Sequence, residues 1–530
     1  MSDNLRKGDL YIILLPLILL FLVIEITPYE GTPEERIIYY FRLNSDGFEE
    51  IQIIYETSKE EGIMWIVVPD TERYTNWTIK ISNGRIYQEE LRDAEIEGVK
   101  MYFYDNLSFH FRGPLKLGIN WTTRLGALVV EPNALFISPA IMFRETDTSI
   151  CEIWKPENFK KLKMMVGSSG NIRYSEGDDR IVVEPLYGND RIYMFYSVKG
   201  KENLTYHKDG PIILRIPYRY FKEGEKILEC YKMAIPQLEE LTDAEIKEVK
   251  VSFFAPKNWD ELPVGGFVPV NPHLKVGEIN LNLFYFRWVR GYIESIAIHE
   301  LTHHYLVELG ISTELLWAHE GLANYLSINL AEYLNLSEKA VNLEEDLLEA
   351  SDLVPPESYN FLISWRTYYT DPRYPTFVHY GVAYRIFYEI CEENTEEGDM
   401  FPGSHYLHRV FSDIKELGGV KTTEDLVSIL ILESNNRKEI REKFKVWGFP
   451  YQENIKITMT ERMRKEIREK TSPLWREILE RRLMENSELW EKYVYEVRIL
   501  VEGIDRLSSL MVLTTLFIVV ASISRRLEKW

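Results

Sequence analysis

Residues 298–304 read IHELTHH, and this stretch decides how the rest of the chain is interpreted. It contains the pattern H-E-x-x-H, and the residues around it predict a helix. His299 and His303 stand four residues apart, so both imidazoles leave the same helix face. Two neutral imidazoles in this arrangement can bind one divalent ion, with Glu300 beside the open coordination position as a general base. The stretch therefore predicts a metal centre with acid–base chemistry.

A third ligand is expected from a second helix further along the chain. Residues 317–325 read WAHEGLANY and begin another apolar-periodic helix, in which Glu320 can bring a carboxylate to the metal. Asn324 follows one helical turn later and is expected to face the first helix. There its side chain can accept the outward N–H of a ligand histidine, a bond that fixes the histidine tautomer.

The two segments together resemble the gluzincin class of zinc peptidases, in which H-E-x-x-H is followed by a helix of the form W-x-x-E-G-x-A-x-Y. The resemblance is to relatives of the membrane alanyl and glycyl aminopeptidases; it is specific over residues 290–330 and architectural elsewhere. It implies a zinc ion bound by His299, His303 and Glu320, and a peptide or protein substrate. Between His303 and Glu320 lie 16 residues, whereas about 18 is common in that class, and a shorter turn between the helices would account for the difference.

Other candidates for the third ligand fit less well. A metzincin would need Gly and His where the chain has Leu306 and Leu309. Glu308 lies five residues past the second histidine, on the wrong side of the helix. His319 is expected to line the pocket or to be a buried polar residue, and His304 to pack or to meet solvent. The alternative for the whole cluster is a buried histidine pair held by carboxylates.

Composition excludes one class of partner and leaves the domain count open. The chain has 530 residues, enough for two or three domains, and a formal net charge of −21 spread along its length. Nucleic-acid binding requires a basic surface, so no nucleic-acid partner is predicted. Three widely separated cysteines form neither a disulfide framework nor a metal-ligand spacing.

Both ends of the chain carry apolar runs. Residues 10–24 are uncharged and follow Arg6 and Lys7, while residues 507–524 are uncharged and precede Arg525 and Arg526. We predict an uncleaved N-terminal signal anchor and a C-terminal transmembrane helix, which make membrane lipid a partner. The positive-inside rule then places both termini in the cytoplasm and the long middle segment outside the cell. For the C-terminal run the alternative is a buried core helix.

The predicted fold class is α+β, with five segments. Strand-like runs rich in β-branched and aromatic residues predict a β-sandwich or saddle domain, with Asn83-Gly84 as a hairpin turn. A thermolysin-like zinc peptidase domain with a helical C-terminal part follows, in which a helix over residues 225–235 is stopped by Pro236. The predicted segments are the anchor (1–29), the β-rich domain (30–212), the peptidase domain (213–450), a charged helical stalk (451–505) and the second transmembrane helix with a cytoplasmic tail (506–530).

Two further segments bear on the expected reaction. Residues 265–267 read GGF where the aminopeptidase relatives carry Gly-x-Met-Glu-Asn, and Val268 stands where their glutamate holds the substrate amino group. The segment therefore lacks the glutamate that aminopeptidase specificity would require, although an extended peptide could add to this sheet edge. The helix over residues 377–384 resembles the element that carries an oxyanion-stabilising tyrosine. Either Tyr380 or His379 can fill that role, or both belong to an aromatic core face.

The expected function is that of a membrane-anchored, extracytoplasmic zinc metallopeptidase that hydrolyses peptide bonds with metal-activated water. The alternative is a surface binding or assembly protein that keeps the peptidase fold without turnover. The intact Glu300 favours the enzyme, because a degenerate site has no use for a general base.

Overall fold

The structure is a computed structural model that describes residues 34–453 except 73, 97–98, 169, 187, 189–190, 272–274, 288–289 and 338–341. Both predicted transmembrane segments and residues 454–505 of the predicted stalk lie outside this range. Within it, no helix combines the length and the apolar character needed to cross a membrane.

The predicted α+β class is confirmed, with a β-rich N-terminal part and a helical C-terminal part. The strands of the N-terminal part are β1 (Glu35–Leu43), β2 (Glu49–Thr57), β3 (Glu61–Pro69), β4 (Thr78–Ile96), β5 (Val99–Thr123), β6 (Ala127–Val130), β7 (Asn133–Ile137), β8 (Thr148–Trp154), β9 (Phe159–Gly167), β10 (Tyr174–Glu176), β11 (Arg180–Val183) and β12 (Ile192–Val198). The remaining strands are β13 (Leu204–Asp209), β14 (Ile212–Pro217), β15 (Val249–Phe254), β16 (Gly266–Phe267), β17 (Val270–Asn271), β18 (Lys275–Val276) and β19 (Ile279–Asn282).

The largest sheet is built around β5. Its strand order is β10-β11-β8-β1-β2-β5-β3, and β4 also pairs with β5. The strands alternate between buried apolar and exposed polar residues; in β2, Ile51, Ile53 and Tyr55 are buried while Glu50 and Gln52 are exposed. This period of two buries one face of the sheet. A four-stranded sheet has the order β6-β7-β12-β9.

A third sheet positions the predicted metal-binding segments. Its order is β13-β14-β15-β19-β16, in which β14, β15 and β19 are parallel and β16 runs antiparallel to β19 at the edge. The helices that accompany it are α1 (Phe221–Thr242), α2 (Tyr292–Glu308), α3 (Leu316–Tyr333), α4 (Leu343–Asp352), α5 (Thr376–Glu392), α6 (Ser404–Glu416), α7 (Thr423–Glu433) and α8 (Arg437–Val446). Short 3-10 helices cover Tyr218–Tyr220, Leu283–Arg287 and Pro356–Ser364.

Two local predictions were wrong. Asn83-Gly84 is not a hairpin turn, because β4 continues through it and pairs with β5 on both sides. Gly84 has a φ of 80°, and a Cβ there would lie 2.5 Å from the carbonyl oxygen of Pro114. The positive φ of Gly84 thus serves a β-bulge.

Pro236 does not stop the first helix. Helix α1 extends to Thr242, with Tyr231, Leu238 and Leu241 buried on either side of the proline. A proline inside a helix removes one backbone hydrogen bond. Burial of this apolar face outweighs that loss and keeps the helix continuous.

Contacts divide the chain into two compact units. Among the described residues, the first comprises 34–127, 136–159 and 165–194, and the second 128–135, 160–164 and 195–453. Every predicted site residue belongs to the second unit. The five segment boundaries given above remain predictions.

Candidate metal centre

Helix α2, which carries the H-E-x-x-H stretch, is fixed at both ends by local hydrogen bonds. At its start, the N–H of Gly291 donates to the carboxylate of Glu294 at 2.7 Å. At its end, Gly310 adopts a φ of 83° and the N–H of Ile311 donates to the carbonyl oxygen of Leu306 at 3.0 Å. This left-handed glycine with a backward bond is a common helix stop. The fixed ends hold the side chains of the middle turns in place.

The structure brings His299, His303 and Glu320 together. The Nε2 atoms of the two histidines lie 3.2 Å apart. Glu320 on α3 places its carboxylate oxygens 3.2 Å from Nε2 of His299 and 3.8 Å from Nε2 of His303. One ligand atom from each residue lies within 4.8 Å of the other two, and each side chain is only 12–13% exposed. Among the described residues, this is the one group of histidine, cysteine and carboxylate side chains with such spacing.

These distances fit a tetrahedral zinc ion. Zinc–nitrogen bonds of about 2.0–2.1 Å separate two ligand atoms of a tetrahedron by about 3.3 Å. The two shorter ligand-atom distances, both 3.2 Å, match this edge. Burial lowers the pKa of His303 to about 3 despite the nearby Glu320, so this imidazole is neutral and can offer a lone pair. The three residues can therefore hold zinc and leave a fourth position open.

Glu300 lies next to the edge strand of the third sheet. The residue is 5% exposed, and burial raises its pKa to about 8, an effect that His299 opposes and Glu320 reinforces. A Cβ placed on Gly266 of β16 would lie 2.9 Å from Oε1 of Glu300. Only a residue without a side chain allows the strand to approach this carboxylate so closely. The GGF segment was noted in the sequence, but this packing reason was not foreseen.

The residues around the three ligands have distinct contacts. Burial lowers the pKa of His299, but the hydrogen bond to Glu320 and the charge of that carboxylate raise it on balance, and the Asn324 side chain adds a smaller upward effect by accepting a hydrogen bond from His299. The Nδ2 atom of Asn324 is buried and has no hydrogen-bond partner among the described residues. His319 is buried, and its Nε2 lies 3.1 Å from the carbonyl oxygen of Ile311. Burial lowers the pKa of His304 to about 4. Both of these histidines lie near the three predicted ligands but outside their group.

Tyr380 and His379 occupy different surroundings on α5. Both ring nitrogens of His379 face backbone groups, with Nδ1 3.2 Å from the carbonyl oxygen of Pro375 and Nε2 accepting the N–H of Asp371 at 3.2 Å. The negative charge of Glu320, then burial, then Glu300 raise the pKa of Tyr380, so its hydroxyl stays protonated beside the two carboxylates. Of the two residues, Tyr380 therefore faces the candidate centre and His379 supports the backbone.

Trp365 was missed by sequence reasoning. It is 3% exposed, and its ring packs against Tyr380 with a centroid distance of 5.1 Å and an interplanar angle of 85°. It also contacts the ring of His379 at 5.3 Å. Trp365 lies outside the helix, and no local periodicity predicts a contact with α5.

Comparison with known proteins gave matches among solved structures only. The sequence matches no known family model and no curated protein. An aminopeptidase N family protein from Idiomarina loihiensis has a TM-score of 0.36 and 10% identity, covering 78% of this chain and 75% of that chain. An aminopeptidase A from Legionella pneumophila, in complex with aspartic acid, has a TM-score of 0.31 and 13% identity, covering 79% of this chain and 50% of that one. An M1 zinc metallopeptidase from Deinococcus radiodurans has a TM-score of 0.29 and 11% identity, covering 80% and 96%. These scores are too low to assign this chain to the family of any of them.

Proposed function

We propose that this chain is a zinc-dependent metallopeptidase. The observation that supports this proposal is the arrangement of His299, His303 and Glu320, whose ligand atoms lie at distances that suit a tetrahedral zinc ion. The buried carboxylate of Glu300 lies beside them. A histidine pair with one carboxylate and an adjacent glutamate is the donor set of hydrolytic zinc sites. A merely structural site would close the fourth position with another protein ligand.

The proposed role of each residue follows from its position in the candidate metal centre. Zinc, when bound, supplies a Lewis acid that polarises the scissile carbonyl and lowers the pKa of water. The positive charge of a bound zinc ion would favour the ionised carboxylate of Glu300, which would accept the proton of the attacking water and pass it to the leaving amine. The Tyr380 hydroxyl, held protonated, donates a hydrogen bond to the oxyanion. Asn324 holds the tautomer and orientation of His299.

Strand β16 offers a place for an extended substrate. It is the edge strand of the five-stranded sheet, and its Gly266 lies directly against Glu300. A polypeptide that pairs with this edge would pass the carboxylate with its backbone aligned. Because Val268 provides no negative charge for a free amine, we propose that cleavage does not require an unblocked N-terminus.

Four single variants of the full chain test the proposed function. Glu300→Gln keeps the side-chain shape but removes the base, so zinc content should stay at the wild-type level while hydrolysis falls about 10²–10⁴-fold. The matched control is Glu308→Gln, which changes an exposed glutamate on the same helix and should leave both unchanged. His303→Ala and Glu320→Ala should lose zinc. Full zinc occupancy in Glu320→Ala would show that another residue is the third ligand, and a zinc-loaded wild-type chain that cleaves no peptide in a broad library would favour a binding protein.

We also propose that the described residues lie outside the cell, between two transmembrane helices at residues 10–24 and 507–524. The support is the apolar character of these runs and the positive residues on their terminal sides. Labelling of intact cells with a non-permeant thiol reagent tests this topology. A cysteine introduced at an exposed site such as Tyr206 should react, and one introduced near Lys529 should not. Reaction of both positions, or of neither, would reject the two-span topology.

A further inference from the structure

Three exposed aromatic side chains lie on the segment before α5 and on the first turn of α5. Tyr368, Tyr369 and Phe377 are 82%, 48% and 54% exposed. Tyr368 occupies the tip of a two-residue turn, in which Arg366 and Tyr369 exchange backbone hydrogen bonds of 2.9 and 3.0 Å. We call residues 366–369 the aromatic hairpin. Exposed aromatic side chains that lie close together in sequence can contribute to a binding surface.

Hydrogen bonds and an ion pair of Arg366 fix the conformation of the aromatic hairpin. The guanidinium of Arg366 donates to the carbonyl oxygens of Ile363 and Trp365 at 2.8 and 2.7 Å and pairs with Glu314 at 3.2 Å. A surface fixed by its own contacts loses little conformational freedom when a ligand binds. The exposed rings are therefore attached to a backbone that is already ordered before a ligand binds.

The same segment adjoins the candidate metal centre. Trp365, which precedes the aromatic hairpin, packs on the ring of Tyr380 at 5.1 Å. Consecutive Cα atoms are 3.8 Å apart, so the Cα of Tyr368 lies within about 11 Å of that of Trp365. Phe377 precedes Tyr380 by three positions on α5, which places both on one side of the helix. Tyr368 and Tyr369 thus lie close in sequence to a residue that contacts Tyr380, and Phe377 lies one helical turn before Tyr380.

The charges of this region are already paired. Arg366 pairs with Glu314, and Arg373 donates to the carboxylate of Asp371 at 2.6 Å. Neither cation is free to recognise a carboxylate, so the surface offers aromatic rings and their edges. Such a surface suits an apolar or aromatic group with offset or edge-to-face packing.

We propose that Tyr368, Tyr369 and Phe377 form a subsite for an apolar or aromatic side chain of the bound polypeptide, a few residues from the scissile bond. The proposal rests on the peptidase function above and adds a substrate preference to it. The subsite is tested by peptide binding and the peptidase function by turnover, so either proposal can fail without the other.

The test uses the full chain with Glu300→Gln, which keeps the proposed metal ligands but lacks the proposed base and is therefore expected to bind peptide without turnover. Short labelled peptides of serine and alanine carry one phenylalanine at each position in turn, and binding is followed by fluorescence anisotropy. At one position, phenylalanine should lower Kd about tenfold relative to serine. Adding Tyr368→Ser should remove most of that preference and leave the affinity for the serine peptide unchanged. The matched control is Tyr206→Ser, which removes another exposed tyrosine, on β13.

Each outcome of this experiment supports or overturns the proposed subsite. An unchanged phenylalanine preference in Tyr368→Ser, in Tyr369→Ser and in Phe377→Ser overturns it. Equal loss of affinity for the phenylalanine and serine peptides also overturns it, because the replaced residue would then support the whole binding cleft and not a subsite for one side chain. Absence of any peptide binding overturns it as well, whereas the peptidase proposal is decided by turnover of the wild-type chain. Zinc content, measured in every variant, identifies changes that act through the metal centre.

Discussion

Replacing Gly266 by alanine tests whether the position of Glu300 limits the reaction. An alanine Cβ would lie 2.9 Å from Cγ and Oε1 of Glu300 and 3.1 Å from Cγ2 of Ile296. Ordinary carbon contacts begin near 3.4 Å, so the strand and the carboxylate must separate by about 0.5 Å. Glu300 is 5% exposed and cannot turn into solvent, and its helix is fixed at both ends.

A shift of this size at a reacting carboxylate is expected to lower turnover substantially. Misplacement by about 1 Å can cost 10²-fold in rate, so we expect Gly266→Ala to lower kcat by about 10–100-fold. Overpacking should also lower the free energy of unfolding by about 1–3 kcal/mol. Zinc content should remain at the wild-type level, because the predicted ligands on α2 and α3 are not the atoms that the new Cβ meets.

The assay combines peptide turnover, zinc analysis and thermal unfolding of the same preparations. Gly118→Ala is the matched control, since it also adds a Cβ to a strand glycine but meets its nearest atom at 3.8 Å. This control should keep wild-type turnover and unfolding temperature. Wild-type turnover in Gly266→Ala would refute the argument that close strand contact positions Glu300. Loss of zinc would show instead that Gly266 supports the ligands.

Four further predictions concern individual groups of the site and the N-terminus of the substrate. Tyr380→Phe keeps the ring against Trp365 but removes the oxyanion donor, so kcat should fall about 10²–10³-fold with zinc content unchanged; a smaller loss in steady-state kinetics would assign the donor elsewhere. His379→Ala should instead lower the free energy of unfolding by about 1–3 kcal/mol, because the N–H of Asp371 loses its acceptor, and denaturant titration would measure this. Asn324→Ala should weaken zinc binding or activity about 10–100-fold, as competition with a chelator and peptide turnover would show. Acetylating the substrate N-terminus should not abolish cleavage, because Val268 cannot hold a free amine; release of single residues only from unblocked peptides would contradict this.

The elements that could be predicted from the sequence are those with a strong local pattern. Helices α2 and α3 are predicted around the two motifs, and the positions of His299 and His303 on one face follow from the helical repeat. The core strands of the largest sheet follow from alternation, as in β2. In each case, neighbours in sequence decide the structure.

The features that could not be predicted depend on distant neighbours. Asn83-Gly84 has the composition of a hairpin turn, and only the partner strand at Pro114 makes it a bulge. Pro236 lies inside α1 because tertiary burial outweighs the local loss of a hydrogen bond. The choice between Tyr380 and His379 depends on the backbone groups around His379 and on the two carboxylates facing Tyr380. A single sequence does not show which distant residues become neighbours in the fold, so none of these contacts could be predicted from it.

The pairing of β1 with β8 has a consequence for how the chain folds. These strands are parallel, with Arg36 opposite Thr148, and the bond from the N–H of Glu35 to Asp147 spans 112 residues. Such a contact must close a long loop before it contributes stability, so it forms slowly and late. The antiparallel pairing of β1 with β2 forms earlier and leaves the other edge of β1 open until β8 arrives. During that interval the exposed edge can pair with another molecule. We therefore expect refolding yield to fall as protein concentration rises.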